Sequence, residues 1–269
     1  MDDLGDARGI LQPARLPTFH RVTTPAELQD LLRWFWIPRW QIAPGRTSRQ
    51  HLLPFPASNL VVGPGGMTLS GPTSGASHRD LTGTGWAVGA LLRPAAMAQL
   101  HPDPAALRDL EVTYDADELH RAVVDAMRDA RTENEAAIAR ERAVRVWTDW
   151  ALDKFTPPDE AGSLANAMEE LIASDPTVVR VEQIAAHLHI STRAVQRLAH
   201  RHVGLPPLAI IRRYRLQEAA KRLREDPSTT VAEVAAGLGY SDHAHLTRDF
   251  RQVLGLSPRD YRRGDPAGA

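Results

Sequence analysis

The chain has no cysteine among its 269 residues. That excludes disulfides, thiol nucleophiles and every cysteine-ligated metal site, and it agrees with a reducing compartment. Long apolar runs are missing as well, and a stretch such as AVGALL falls far short of membrane-spanning length. The acidic opening MDDLGDARG has neither the basic region nor the hydrophobic core of a signal peptide. A cytoplasmic protein with no membrane partner is the expectation. Signatures of catalysis are also wanting: there is no HExxH, no GxSxG and no phosphate-binding loop, and GPGG and GTGW are too short for nucleotide binding. His187 and His189, like His200 and His202, stand two apart, so on a helix they point away from each other. No enzyme, cofactor or metal is expected.

What is present fits an ordinary globule, with 43% apolar and 24% charged residues. The near-neutral formal charge of −1 hides a split, since the chain beyond Pro176 is basic and the part before it acidic. Such asymmetry admits a nucleic-acid partner for the C-terminal part only.

Three regimes follow one another. Residues 1–16 read as a leader. From 17 to 112 the chain is rich in glycine, proline, serine and threonine, with short apolar bursts. WFWIPRW places Trp34, Trp36 and Trp40 at even spacing, on one side of an extended segment. SNLVVGPGGMTLSGP predicts two strands about a Pro64-Gly65-Gly66 turn, and GWAVGALL a further strand. A small β-barrel-like domain is expected. Between 113 and 175 the period changes to three and four: Leu119, Val123 and Met127 on one helix, Val144, Trp147 and Ala151 on a second, Met168 and Ile172 on a third. These helices either pair two copies of the chain, with Trp147 and Val144 at the seam, or pack on their own β-domain.

From 176 to 264 the elements are short and helical, and 265–269 form a tail. Val195 and Leu246, Val203 and Leu254, Gly204-Leu205 and Gly255-Leu256, and Pro207 and Pro258 repeat 51 positions apart. Ile184 and Val234, and Leu188 and Leu238, repeat 50 apart, so the second turn holds one extra residue. Thr230 and Glu233 form a capping box, and Ser241 is placed to cap the helix after it. The fold class predicted is α+β: a β-domain, a helical connector, and an all-α module of two helix-turn-helix units on a linker helix. In each unit the second helix keeps a polar face. Arg193, Gln196 and Arg197 share one face of the first, and His243, Ala244, Thr247 and Arg248 the matching face of the second. Arginine pairs with guanine edges and glutamine with adenine, while threonine offers thymine a methyl or a base edge its hydroxyl. Thr192, His200, Arg201 and Arg251 flank these faces and suit the phosphate backbone.

These residues resemble the AraC/XylS family of transcriptional regulators over roughly Val181 to Arg263. The resemblance rests on IAAHLHIS-x-R-x-V-Q-R, on RLQEAAKRL, and on A-x-x-x-G-Y-S-D-x-x-H-L-T-R-x-F-R-x-x-x-G-x-S-P-x-x-Y-R. It implies a DNA-binding activator or repressor whose two recognition helices enter adjacent major grooves. Three positions depart from the pattern: His189 for the turn glycine, Ala199 for a large aromatic, and Pro206 for a capping serine. The segment from Trp34 to Pro94 is similar to the β-domain of an actinobacterial-type subgroup, with Ala95-Ala96 in place of its glycines. In the wider family such domains sense small molecules or mediate pairing. Expected partners are therefore double-stranded DNA, a small-molecule effector or a second copy forming a homodimer, and RNA polymerase if the protein activates. Trp34, Trp36, Trp40, Arg49, His51 and Asn59 are the candidates for an effector pocket, with filling of the β-core as the alternative for the tryptophans. A protein-interaction module that has lost DNA binding is the rival function.

Overall fold

The structure, a computed structural model, describes residues 18–263 except 53, 129 and 131, and describes His51 by its backbone alone. The leader 1–16 and the tail 265–269 lie outside the described residues.

Period-two sequence builds the first half. Its strands are β1 (Thr18–Thr23), β2 (Leu32–Gln41), β3 (Ser48–Leu52), β4 (Asn59–Gly63), β5 (Gly66–Ser70), β6 (Ser77–Leu81), β7 (Thr84–Trp86), β8 (Val88–Leu92) and β9 (Glu111–Thr113). An antiparallel sheet runs in the order β1-β2-β8-β4-β5-β9, with β7 also on β2, and β3 pairs with β6 separately. The main sheet stays open, with β1 and β9 as its ends, so the predicted barrel-like domain takes the form of an unclosed sheet. Gly63 pairs with Gly66, which leaves Pro64-Gly65 as the hairpin turn.

Alternation gives this sheet two different faces. Phe35 and Ile37 of β2, Leu60 and Val62 of β4, and Val88 and Ala90 of β8 are fully buried on the inner one. The tryptophans of β2 occupy the other face. Trp36 lies over Gly89 of β8, where a Cβ would come within 2.2 Å of the indole, and Trp40 over Gly85 at 2.3 Å. Glycine is needed at both places because a flat indole leaves no room for a side chain beneath it.

The helices that follow are α1 (Pro94–Leu100), α2 (Asp117–Met127), α3 (Glu133–Lys154) and α4 (Glu160–Ser174). Leu119, Val123, Met127, Ala143 and Trp147 join the inner face of the sheet in one core. Trp147 is fully buried, 5.8 Å from Phe35 between ring centroids, and Val144 packs at the edge of the same core. Of the two placements weighed for these residues, packing on the β-domain is the one observed, and Trp147 offers nothing to a seam. The α4 helix turns elsewhere. Its buried Met168 and Ile172 share a core with Phe55 and Leu91 of the β-domain and with the helices beyond.

Those helices are α5 (Val181–His187), α6 (Thr192–Leu198), α7 (Pro207–Glu225), α8 (Val231–Gly237), α9 (His243–Leu254) and α10 (Pro258–Arg263). A π turn over Ala199–Val203 extends α6. The linker helix α7 serves two cores. Ile210, Ile211 and Tyr214 of its first half belong to the core of α4, α5 and α6. Leu216, Ala219, Ala220 and Leu223 of its second half belong to that of α8, α9 and α10.

Candidate nucleic-acid interface

Each unit begins with a short helix whose apolar side is buried: Val181, Ile184 and Ala185 on α5, Val234 and Ala235 on α8. The turn comes next, and its backbone takes positive φ at matching places, +53° at His189 and +68° at Gly239. Both units then start a capped helix. The Ser191 hydroxyl accepts from the Ala194 amide in the first unit. In the second, the Asp242 carboxylate accepts from the His245 amide at 2.7 Å. The cap is thus one residue beyond the predicted Ser241, whose hydroxyl lies 3.1 Å from the His245 ring. Ser191 and Asp242 stand 51 apart and His189 and Gly239 50 apart, which makes Ser241 the extra residue of the second turn. Both recognition helices end on left-handed glycines, Gly204 at φ +80° and Gly255 at φ +75°.

With the caps aligned, the outward faces superpose. Val195 and Leu246, both fully buried, fix the rotation of each helix. Arg193, Gln196 and Arg197 are exposed on α6, and His243, Ala244 and Arg248 on α9, with Thr247 half-buried among them. Thr192, His200, Arg201 and Arg251 are exposed beside these rows. Neither row is covered by the β-domain. The 19 residues of α7, about 28 Å long, join the two units.

The three predicted departures all fall in the first unit. A histidine bears the positive φ of its turn. Ala199 stands at the place of Phe250, and both are fully buried. Pro206 gives α7 no side-chain cap, whereas Ser257, before α10, bonds reciprocally with Asp260. His202, at the place of Val253, is buried near α1; burial and then Arg201 hold its pKa below the ordinary 6.5.

Polar contacts between distant parts of the chain tie the module to the β-domain. Arg213 of α7 is buried and donates to the carbonyls of Thr73 at 2.8 Å, Ser74 at 2.9 Å and Ala209 at 2.8 Å. Gln217 donates to the Pro54 carbonyl at 3.0 Å, and the Ala76 amide to the Val253 carbonyl at 2.7 Å. Arg33 of β2 pairs with Glu169 of α4 at 2.5 Å, and Tyr214 of α7 donates to the same carboxylate. Burial opposes the charge on Arg33, but Glu169, Tyr214 and Glu170 outweigh it and raise its pKa. Sequence reasoning missed these residues, because apart from Arg213 and Ala209 the partners stand more than thirty positions apart and leave no mark in local spacing.

The six pocket candidates do not gather. Trp36 donates to Asn59 at 2.9 Å, so those two meet. Trp34 lies under the Arg21 guanidinium, 4.2 Å from its ring centroid, and beside Phe55 at 6.2 Å. Trp40 donates to the Thr82 carbonyl at 3.2 Å. Arg49 is exposed and forms a two-pronged pair with Asp80, and the His51 backbone is registered opposite His78. Among the described residues no cluster of three or more histidine, aspartate or glutamate side chains could hold a metal. None of the described helices is long and apolar enough to cross a membrane.

The paired short helices, turn and capped exposed helix, present twice, define a double helix-turn-helix module. Residues 184–264 match a family model described as a helix-turn-helix domain, and residues 20–112 one described as a domain of unknown function (DUF6597). A putative AraC-like transcription regulator of Streptomyces antibioticus is 30% identical over 40% of this chain and 38% of its own length. The transcriptional activator RhaS of Escherichia fergusonii is 35% identical over 32% of this chain and 31% of its own. The regulator GbdR of Pseudomonas aeruginosa is 28% identical over 34% and 24%. The chain therefore spans well under half the length of these relatives. Among solved structures, ToxT of Vibrio cholerae aligns over 85% of this chain and 97% of its own, at 11% identity and a TM-score of 0.43. The C-terminal segment, residues 184–264, is thus similar to a helix-turn-helix domain shared with transcription regulators.

Proposed function

We propose that this protein is a sequence-specific transcriptional regulator of the cytoplasm, which reads an asymmetric DNA site with α6 and α9. One observation carries the reading. Two helices capped and buried in the same register present base-competent side chains at i, i+3 and i+4: Arg193, Gln196 and Arg197 on one, Ala244, Thr247 and Arg248 on the other. His243 stands at the start of the second row. Thr192, His200, Arg201 and Arg251 hold the phosphates on either side.

The β-domain is the regulatory part of this reading, responding to a small-molecule effector or to a second copy of the chain. What supports the coupling is the segment from Pro54 to Ala76, which meets both α7 and the end of α9 through Gln217, Arg213 and Val253. A ligand that shifts that segment shifts the second unit with it.

Selection of duplexes from a random pool by the full chain, followed by titration of the selected duplex, tests the reading. Arg248→Ala is expected to cost about 1–3 kcal/mol and to relax preference at one base step. Arg251→Ala should weaken all duplexes alike and lower the slope of log affinity against log salt by about 1. If neither variant changes binding, the faces are wrongly assigned.

A further inference from the structure

We infer that the second recognition helix reads thymine methyl groups through Ala244 and Thr247, so that the two halves of the DNA site are recognised by different chemistry. The inference rests on the DNA-reading assignment above.

The aligned caps place Ala244 at the position of Arg193 and Thr247 at that of Gln196. Where the first helix extends long polar ends, the second offers two small side chains. Threonine has two ways to meet a base, by its hydroxyl or by its methyl. The Thr247 hydroxyl donates to the His243 carbonyl one turn back, at 2.8 Å. That bond commits its only proton to the helix backbone, so the oxygen can accept from a base but not donate to one, and the γ-methyl is left to pack on an apolar group. Ala244, exposed one turn earlier on the same face, contributes a second methyl beside it. The two are small side chains on a face whose other members, His243 and Arg248, are exposed.

In the major groove only thymine presents a methyl, and alanine and the threonine methyl are side chains that pack on it. The pair sits in the first turns of α9, the part of such a helix that reaches base edges. Short side chains also let the backbone approach the bases closely, which a long side chain at 244 would prevent. On α6, Arg193, Gln196 and Arg197 carry only polar ends to the corresponding steps and discriminate by hydrogen bonds instead.

The test uses the duplex that the full-length chain enriches from a random pool. Each thymine is replaced in turn by deoxyuridine, which removes the C5 methyl and nothing else. Binding should weaken about fourfold per methyl at one or two thymines next to the step whose preference Arg248→Ala relaxes, and remain as it was elsewhere. At one of those thymines Thr247→Ser should abolish the preference for thymine over uracil, and Thr247→Val, which returns the methyl without the hydroxyl, should restore it. The inference is overturned alone if an enriched duplex has no thymine there, if it binds equally with uracil throughout, or if Ser keeps the discrimination and Val loses it. A pool in which no sequence is enriched overturns the DNA-reading assignment and this inference together.

Discussion

The first unit packs Val181, Ile184, Val195 and Val203 into a core that continues through Met168 and Ile172 to Phe55 and Leu91 of the β-domain. The second closes Val234, Leu238, Leu246, Phe250 and Leu254 on the end of α7 and on Tyr261 of α10, with no β-domain residue among the described members of that core. The same backbone plan is therefore stabilised in two ways. The unit that stands on its own core has an aromatic at its centre, a glycine in its turn and a reciprocal cap before its last helix: Phe250, Gly239 and Ser257 with Asp260. The first unit has none of the three: alanine at 199, histidine at 189, proline at 206. Ala199 is nonetheless fully buried, so the volume around it is filled by neighbours in the shared core.

Removing the aromatic should break the comparison most forcefully. Phe250→Ala is expected to cost about 3–5 kcal/mol. Hydrogen exchange should then show protection lost across α8, α9 and α10 while α5 and α6 keep theirs; equal loss in both units would mean that their cores are not separate. Arg213→Met acts on the tie between module and β-domain. It leaves the Thr73 and Ser74 carbonyls without their charged donor, and about 1.5–3 kcal/mol should disappear from the denaturant unfolding of the full chain. Unchanged unfolding would show those contacts to be incidental.

A smaller effect separates the two turns. His189→Gly relieves a left-handed side chain and should stabilise the first unit by about 0.5–1 kcal/mol. Gly239→Ala should destabilise the second by about 1 kcal/mol, its Cβ lying 3.1 Å from Val179. Thermal melts of the two variants that move in the same direction would contradict the alignment of the turns.

Acid gives the gentlest contrast. The His245 amide lowers the pKa of Asp242, Ser257 that of Asp260, and Ser228 with Thr229 that of Asp226, the last to about 2, all from 3.8. A carboxylate whose pKa is lower folded than unfolded lends stability that is complete above the unfolded value and is lost as pH falls through the folded one. Below pH 6.5 the first unit should weaken first, because buried His202 has a lower pKa folded than unfolded and resists protonation. Between pH 4 and pH 2 the second unit should follow as Asp242, Asp260 and Asp226 protonate. Residue-resolved amide spectra across both ranges would show the order, and simultaneous loss would refute it.

Much of this was legible beforehand, for physical reasons that stop at a definite point. The Thr230 and Glu233 box, the strand pair about Pro64-Gly65, and the buried rows of α2 and α9 depend on neighbours within a few positions, and the sequence displays such neighbours directly. The repeat also showed that the second turn holds one extra residue, though the cap expected at Ser241 is made by the Asp242 carboxylate, which accepts from the His245 amide. What stayed hidden involves choice among distant partners. Periodicity showed that Trp147 was half of an apolar contact but not that Phe35, more than a hundred positions away, was the other half. The pocket candidates were joined by even spacing on one strand and by polar positions near strand ends; among the described side chains Trp36 and Asn59 meet.

A helix gripped along both halves by separate cores works as a ruler. Adding one residue to the middle of α7 would turn everything beyond it by about 100° and advance it about 1.5 Å. Under the proposed DNA-reading assignment, the exposed row of α9 would swing off the groove while each unit remained intact. On that reading the spacing between the two recognised base steps is set by the length of one helix, and an operator would drift in sequence far more readily than in spacing.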